Sequence, residues 1–257
     1  MNKYLNIVSV HFWNHGSNQR DVLIRSAFYF VIVYIISSLW AMTRSDTGSF
    51  NGEVFIWYIA ITELIVLSNP LIYFDIECDI RSGNVVYYLT RPMHYITFRI
   101  CENIGAYCYR FLFLGIGGIL FCYLLNPKGM PSLSHLTVTY LMAFLAGIVL
   151  LICHTMIGLS AFKFQDCTPL FWLWQRSSFL LGGLLLPLDF YPSFLQKIAK
   201  WTPFEALLYG PESLIYHNSF EYLSLVFAKL CCWGAISLFC CYAYYHRAIK
   251  QLEVNGG

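Results

Sequence analysis

The sequence predicts an all-α polytopic membrane protein: six transmembrane helices, an N-terminal interfacial helix, and an outer re-entrant segment between helices 5 and 6. Three observations carry this. Of 257 residues, 58% are hydrophobic and only 12% charged, where a soluble domain carries about 25% charged. Apolar windows of about 20 residues, the length that crosses a bilayer as helix, recur near 22–42, 54–73, 104–125, 137–159, 167–187 and 222–244. Helix breakers concentrate in one stretch, PLDFYPSFLQKIAKWTPFEALLYGP at 187–211, where four prolines interrupt apolar sequence between the last two windows. Irregular backbone cannot face lipid, so such a segment packs against protein or lines a water-filled path.

The whole chain, 1–257, reads as a single transmembrane domain. Residues 1–21 form its amphipathic interfacial segment: Tyr4, Leu5, Val8 and Phe12 fall near one helical face, with Lys3, Asn6 and Ser9 elsewhere and Trp13 close behind. That is the pattern of a helix lying in the inner interface, with a frayed leader as the alternative. The first apolar run starts only at about Val22, after Asn18-Gln19-Arg20-Asp21, and continues to about Met42. It is a span, not the short core of a signal peptide.

Span two carries Glu63 at its middle. Gly115, Gly117 and Gly118 in span three, and Ala143 with Gly147 in span four, offer small surfaces for close helix approach. His154 has no second histidine three or four residues on and reads as a hydrogen-bonded bundle residue, not a metal ligand. Span five is the weakest, because Arg176 lies within it and Gly182-Gly183 and Pro187 break its end. Span six carries Lys229 about two turns in. The ten cysteines fall mostly in apolar runs without zinc or redox spacing, and read as packing residues.

Charge distribution orients the chain. With the N-terminus cytoplasmic, the inside segments collect Lys3, Arg20, Arg25, Arg81, Arg91, Arg99, Lys163, Arg247 and Lys250. The outside segments hold Arg44, Lys128, Lys197 and Lys200, so the positive-inside rule places both termini in the cytoplasm. A net charge of +2 with no dense basic cluster argues against nucleic acid as a partner.

The longest cytoplasmic connection, DIECDIRSGNVVYYLTRPMHYITFR at 75–99, is also the most charged segment. Ser82-Gly83-Asn84 and Arg91-Pro92 are breaks, and the apolar residues between them allow one or two helical turns. A short helix with apolar knobs and rim charges is what docking into a groove requires; a loop that merely caps the bundle is the alternative.

Asp79-Ile80-Arg81-Ser82-Gly83, followed by Tyr88-Leu89 and Arg91-Pro92, resembles the coupling loop of bacterial type-2 ABC-transporter permeases, the class of drug-resistance and polysaccharide exporters. Leu186-Pro187-Leu188, Phe190-Tyr191-Pro192, Trp201-Thr202-Pro203-Phe204 and Tyr209-Gly210-Pro211 are similar to the same family's outer re-entrant region. The resemblance implies a six-span export permease of the bacterial cytoplasmic (inner) membrane. It would work as a dimer with two ABC ATPase subunits. The partner permease would be a second copy or, as in the branch most resembled, a related chain. Carried onto this sequence, the ATPase-coupling residues are Arg81, Ser82, Gly83, Val85, Tyr88, Arg91 and Pro92. The re-entrant region, 187–216, would contribute an outer gate at Pro187, Pro192, Pro203, Phe204 and Pro211. ATP and magnesium would belong to the partner ATPase, with no cofactor or catalytic residue in this chain. The sequence contains no G-x-x-x-x-G-K-[ST] phosphate loop.

Glu63, Arg176 and Lys229 are expected to be intramembrane charges. An ionised side chain at the bilayer centre costs at least about 2.5–3.5 kcal/mol, so each is expected to face protein or water. A Glu63 pair with Arg176 or Lys229 is one arrangement, an aqueous substrate path another, and Lys229 can also snorkel outward. An ion-coupled secondary transporter or channel using Glu63 and Arg176 is the rival reading. A lipid-acting enzyme built on His154, Glu63 or Asp189 is weaker, since neither a zinc-protease helix nor a nucleophile elbow is present.

Overall fold

The computed structural model describes residues 2–17, 19–42, 52–184, 186–215 and 219–250. Arg44, Tyr216 at the end of the re-entrant segment, and the last seven residues lie outside the described residues. The fold is 86% helical with no strand among the described residues.

The chain opens with α1 (Asn2–Ser17) and α2 (Gln19–Met42), then α3 (Gly52–Ser68), α4 (Ile72–Arg81) and the five-residue α5 (Val85–Leu89). Long helices α6 (Tyr95–Leu125) and α7 (Leu133–Leu159) follow, then short α8 (Ala161–Phe164) and α9 (Thr168–Leu181). A hairpin comes next: α10 (Ser193–Lys200), a π-helical turn Glu205–Tyr209, and α11 (Gly210–Ser213). Helix α12 (Phe220–Lys250) closes the fold.

Among the described residues, five helical stretches are long and apolar enough to cross a membrane: Arg20–Leu39, Phe55–Arg81, Tyr95–Leu125, Leu133–Phe164 and Phe220–Lys250. The expected fifth span is different. Helix α9 has 14 residues, and at 1.5 Å each covers about 21 Å of a hydrocarbon core about 30 Å thick. It stops where Gly183 takes a left-handed backbone, φ +72°, which turns the chain into the hairpin. The Tyr58 hydroxyl on α3 donates to the Gly183 carbonyl and fastens that turn to the core.

Helix α3 is the centre of the bundle. Trp57, Tyr58, Ile59, Ile61, Leu64 and Ile65 are all essentially inaccessible, as befits a helix apolar all round. It ends before Pro70, which supplies no N–H and disfavours helical backbone in the residue before it; the Asn69 side chain donates to the Ile65 carbonyl at 2.9 Å. By contrast α2 leaves Leu23, Ile24, Phe28, Val31 and Ile35 uncovered, the surface of a lipid-facing helix.

Small residues set the close contacts. The Tyr107 ring fills the space at Gly147, and its hydroxyl donates to the Phe144 carbonyl at 3.1 Å. Tyr29 does the same at Gly118, donating to the Ala60 carbonyl at 3.0 Å. Helix α1 runs along the first half of α6, and a Cβ added at Gly105 would lie 2.5 Å from the Val8 carbonyl oxygen. Of the residues drawn to one face of α1, Tyr4, Val8 and Phe12 are partly covered together with His11 and His15, while Leu5 is exposed. A helical face drawn from apolar residues alone misses histidines that pack through their rings.

Helix α12 joins both ends of the molecule. Near its C-terminus Tyr242 meets Thr97 (2.7 Å between hydroxyls) and Tyr245 stacks on Tyr95. Nearer its start Lys229 reaches the hairpin.

Candidate functional site

The 75–99 connection is a folded unit. Helix α4 ends at Arg81, with the Ser82 hydroxyl donating back to the Cys78 carbonyl at 2.7 Å. Gly83 then adopts φ +74°, the left-handed conformation that reverses the chain at little cost only for glycine. Helix α5 follows, and Arg91-Pro92 leads into α6.

The short helix is two-faced. Val85 is 2% exposed and Tyr88 packs between Tyr95 and Phe98, with ring centroids 5.5 and 5.4 Å away. Val86, Tyr87 and Leu89 are exposed at 40%, 60% and 45%. Of the seven residues expected at this site, Arg81, Ser82, Gly83, Arg91 and Pro92 are on the surface, whereas Val85 and Tyr88 turn inward. The exposed apolar knobs are their neighbours. A five-residue helix turns too few times for its apolar pattern to distinguish the faces.

Both rims are fixed. Arg91 donates to the Tyr87 hydroxyl at 2.7 Å and lies over that ring at 4.4 Å. Arg81 bonds Glu77 at 3.1 Å across one helical turn. Glu77 itself is buried and accepts from the Cys167 backbone N–H at 3.1 Å and its thiol at 2.9 Å, tying α4 to the start of α9.

Beneath α5 lies a buried ionic cluster. Asp79 accepts from Arg99 through Nε at 2.8 Å and through Nη2, and from the Tyr95 hydroxyl at 2.7 Å. Arg99 also reaches Glu102 at 2.6 Å and the Tyr88 hydroxyl at 3.3 Å. Glu102 faces His11 of α1 at 3.7 Å, and Lys3 donates to the Pro92 carbonyl at 3.0 Å. Asp79 and Arg99 were legible only as a motif residue and a loop cation; no sequence spacing pairs residues 20 apart across a break.

The proline segment forms the opposite end. Pro187 precedes a 3-10 turn, Leu188–Phe190, and the Pro192 carbonyl accepts from the Leu195 and Gln196 N–H groups as α10 starts. Pro203 begins the next helical stretch, and Phe204 packs on Trp174 of α9 at 4.6 Å. Pro211 is buried within that stretch, directly after the π-helical turn. There the Gly210 N–H reaches back to the Glu205 carbonyl, the wider spacing of a π turn. Such a turn just ahead of a proline accommodates a residue without an N–H.

The three intramembrane charges do not meet. Lys229 donates to both Glu205 carboxylate oxygens at 2.9 Å, so its partner is in the hairpin and not Glu63. Glu63 is buried in α3, while Arg176 is exposed on α9 and has no acidic partner among the described residues. His154 is buried edge-on against Phe171 and Trp174, and its Nδ1 finds no hydrogen-bond partner, contrary to the expected bonded role. Sequence reading also missed Glu212, fully buried in α11 with the Tyr58 side chain beside its carboxyl. Its burial pushes the carboxyl well above the usual carboxylate range.

A multi-pass helical bundle with a braced, two-faced helix at one end and a broken-helix hairpin at the other is the architecture of an integral membrane protein. The chain belongs to the ABC-2 transporter family: the family described as ABC-2 family transporter protein matches residues 53–256, covering α3 through α12. It is an ABC transporter permease. No curated protein matches the chain.

Proposed function

We propose that this chain is the membrane subunit of an exporter driven by ATP hydrolysed on separate ABC ATPase subunits. The observation that supports this most is α5: Val86, Tyr87 and Leu89 project outward between Arg81 and Arg91, the knobs and rim charges of a docking helix. Behind it, Asp79 and Arg99 give the helix a stiff backing against α6. Closure of two ATPase subunits would displace α5, and the bundle would rearrange between states of different cargo affinity. Pro187, Pro192, Pro203, Phe204 and Pro211 would shape an outer gate.

The location is the bacterial cytoplasmic membrane, both termini inside, following the basic residues. Magnesium and ATP are assigned to the partner, because these 257 residues carry no phosphate loop. The second permease is a related chain in preference to a second copy, by the branch resemblance.

The test is a mild-detergent pull-down of tagged chain from its native host with an ATPase assay. The wild type is expected to retain a phosphate-loop ATPase. The Tyr87→Ala/Leu89→Ala double variant is expected to lose at least nine-tenths of it while entering the membrane at normal yield. Equal retention by both would refute α5 as the docking helix.

A further inference from the structure

A pocket of about 340 Å³ opens on the hairpin end of the molecule. Its floor is the Glu205–Lys229 pair, already closed on itself by two 2.9 Å contacts. Two further charges of opposite sign on its wall are not matched to each other. Asp189 is exposed and its carboxylate accepts only from the Tyr209 hydroxyl among the described residues, at 2.9 Å. Lys200, at the last turn of α10, is exposed and pairs with no acidic group among the described residues. The four charges sum to zero, so a ligand with a single net charge would leave one wall group unmatched. A ligand bearing one cation and one anion matches both.

The surroundings narrow the class. The pocket is at the small end of the roughly 300–1,000 Å³ of ligand sites, room for a compact polar group. The rings of Tyr209 and Tyr222 line it, surfaces that favour an ammonium group. Leu225 of α12, which lines the pocket, is half exposed, and Trp201, directly after Lys200, is exposed: apolar surface next to the pocket's own residues for hydrocarbon chains. Exposed Asp189 and Lys200 require water or headgroups at that level, not the hydrocarbon core. The floor includes a π-helical turn, a rare geometry frequent at functional sites.

We infer that this pocket binds the zwitterionic headgroup of a phospholipid, its ammonium on Asp189 and its phosphate on Lys200, with the acyl chains lying along α12 past Leu225. The site is independent of the exporter reading, since lipid binding needs neither ATP nor cargo.

The test uses the purified full-length chain and two fluorescent short-chain lipids with the same tails, a phosphatidylethanolamine and a phosphatidylglycerol. The ethanolamine lipid is expected to bind at least tenfold more tightly. Asp189→Asn should reduce that preference to within twofold, and Lys200→Gln, which loses the phosphate contact common to both lipids, should weaken both at least fivefold, whereas Lys197→Gln, on the same helix but outside the pocket, should change neither. Equal affinity for the two lipids, an unchanged preference in Asp189→Asn, or unchanged affinities in Lys200→Gln would overturn the site. Glycerophosphoethanolamine, the headgroup without chains, separates a lipid from a soluble zwitterion. It should compete at least a hundredfold more weakly, and competition equal to the lipid's would overturn the lipid assignment.

Discussion

Asp79 and Arg99 are buried, and each depends on the other to be tolerable there. Removing the Asp79 charge takes from Arg99 its most buried partner and leaves it Glu102 at 2.6 Å, so the cost falls below the about 3–5 kcal/mol of a buried pair broken outright. Asp79→Asn is therefore expected to lower the thermal midpoint of the detergent-solubilised protein by several degrees, and a midpoint within a degree of wild type would refute the buried pair. Glu212 is the opposite case: a buried carboxyl with no cation beside it, pushed above the usual carboxylate range by burial, which the neighbouring Tyr58 side chain only partly opposes. A carboxyl whose folded pKa is raised contributes stability below its unfolded value, about 4.5, and that stability is lost as pH rises through the folded one. Stability should thus decline from acidic pH upward, and Glu212→Gln, which keeps the shape without the proton, should flatten the decline. A variant with the same pH slope as wild type would count against Glu212 as its source.

At the scale of elements, α1 is held by shape as much as by charge. Gly105 lets the α1 backbone come within contact of α6, so Gly105→Val pushes against the Val8 carbonyl and not against a movable side chain. Limited proteolysis should cut α1 from this variant at least tenfold faster, with the remaining bundle intact; unchanged cleavage would show that Lys3 and His11 suffice to hold it. The elements differed in how readable they were. Bilayer thickness imposes a length of apolar sequence that survives any packing arrangement, which is why α2, α3, α6, α7 and α12 stand where the windows fell. Helix α9 was legible in its weakness, because Gly182-Gly183 and Pro187 truncate it. The inward turn of Val85 and Tyr88, and the Lys229–Glu205 pair, were not legible. Those depend on which residues distant in sequence come to lie opposite, and neither periodicity nor composition carries that information.

Across the whole molecule, the family assignment covers the bundle from residue 53 onward, while α1 and α2 lie before it. The two ends of the molecule differ in chemistry: one carries α5 over a buried ionic cluster, the other a proline-broken hairpin around a polar pocket. Between them runs α12. Lys229 and Tyr242 are 13 positions apart on that one unbroken helix, about 20 Å, one gripping the hairpin and the other the start of α6. A helix resists compression along its axis, so on the proposed mechanism α12 would serve as a push-rod, carrying a thrust at the α6 base to the hairpin along its length.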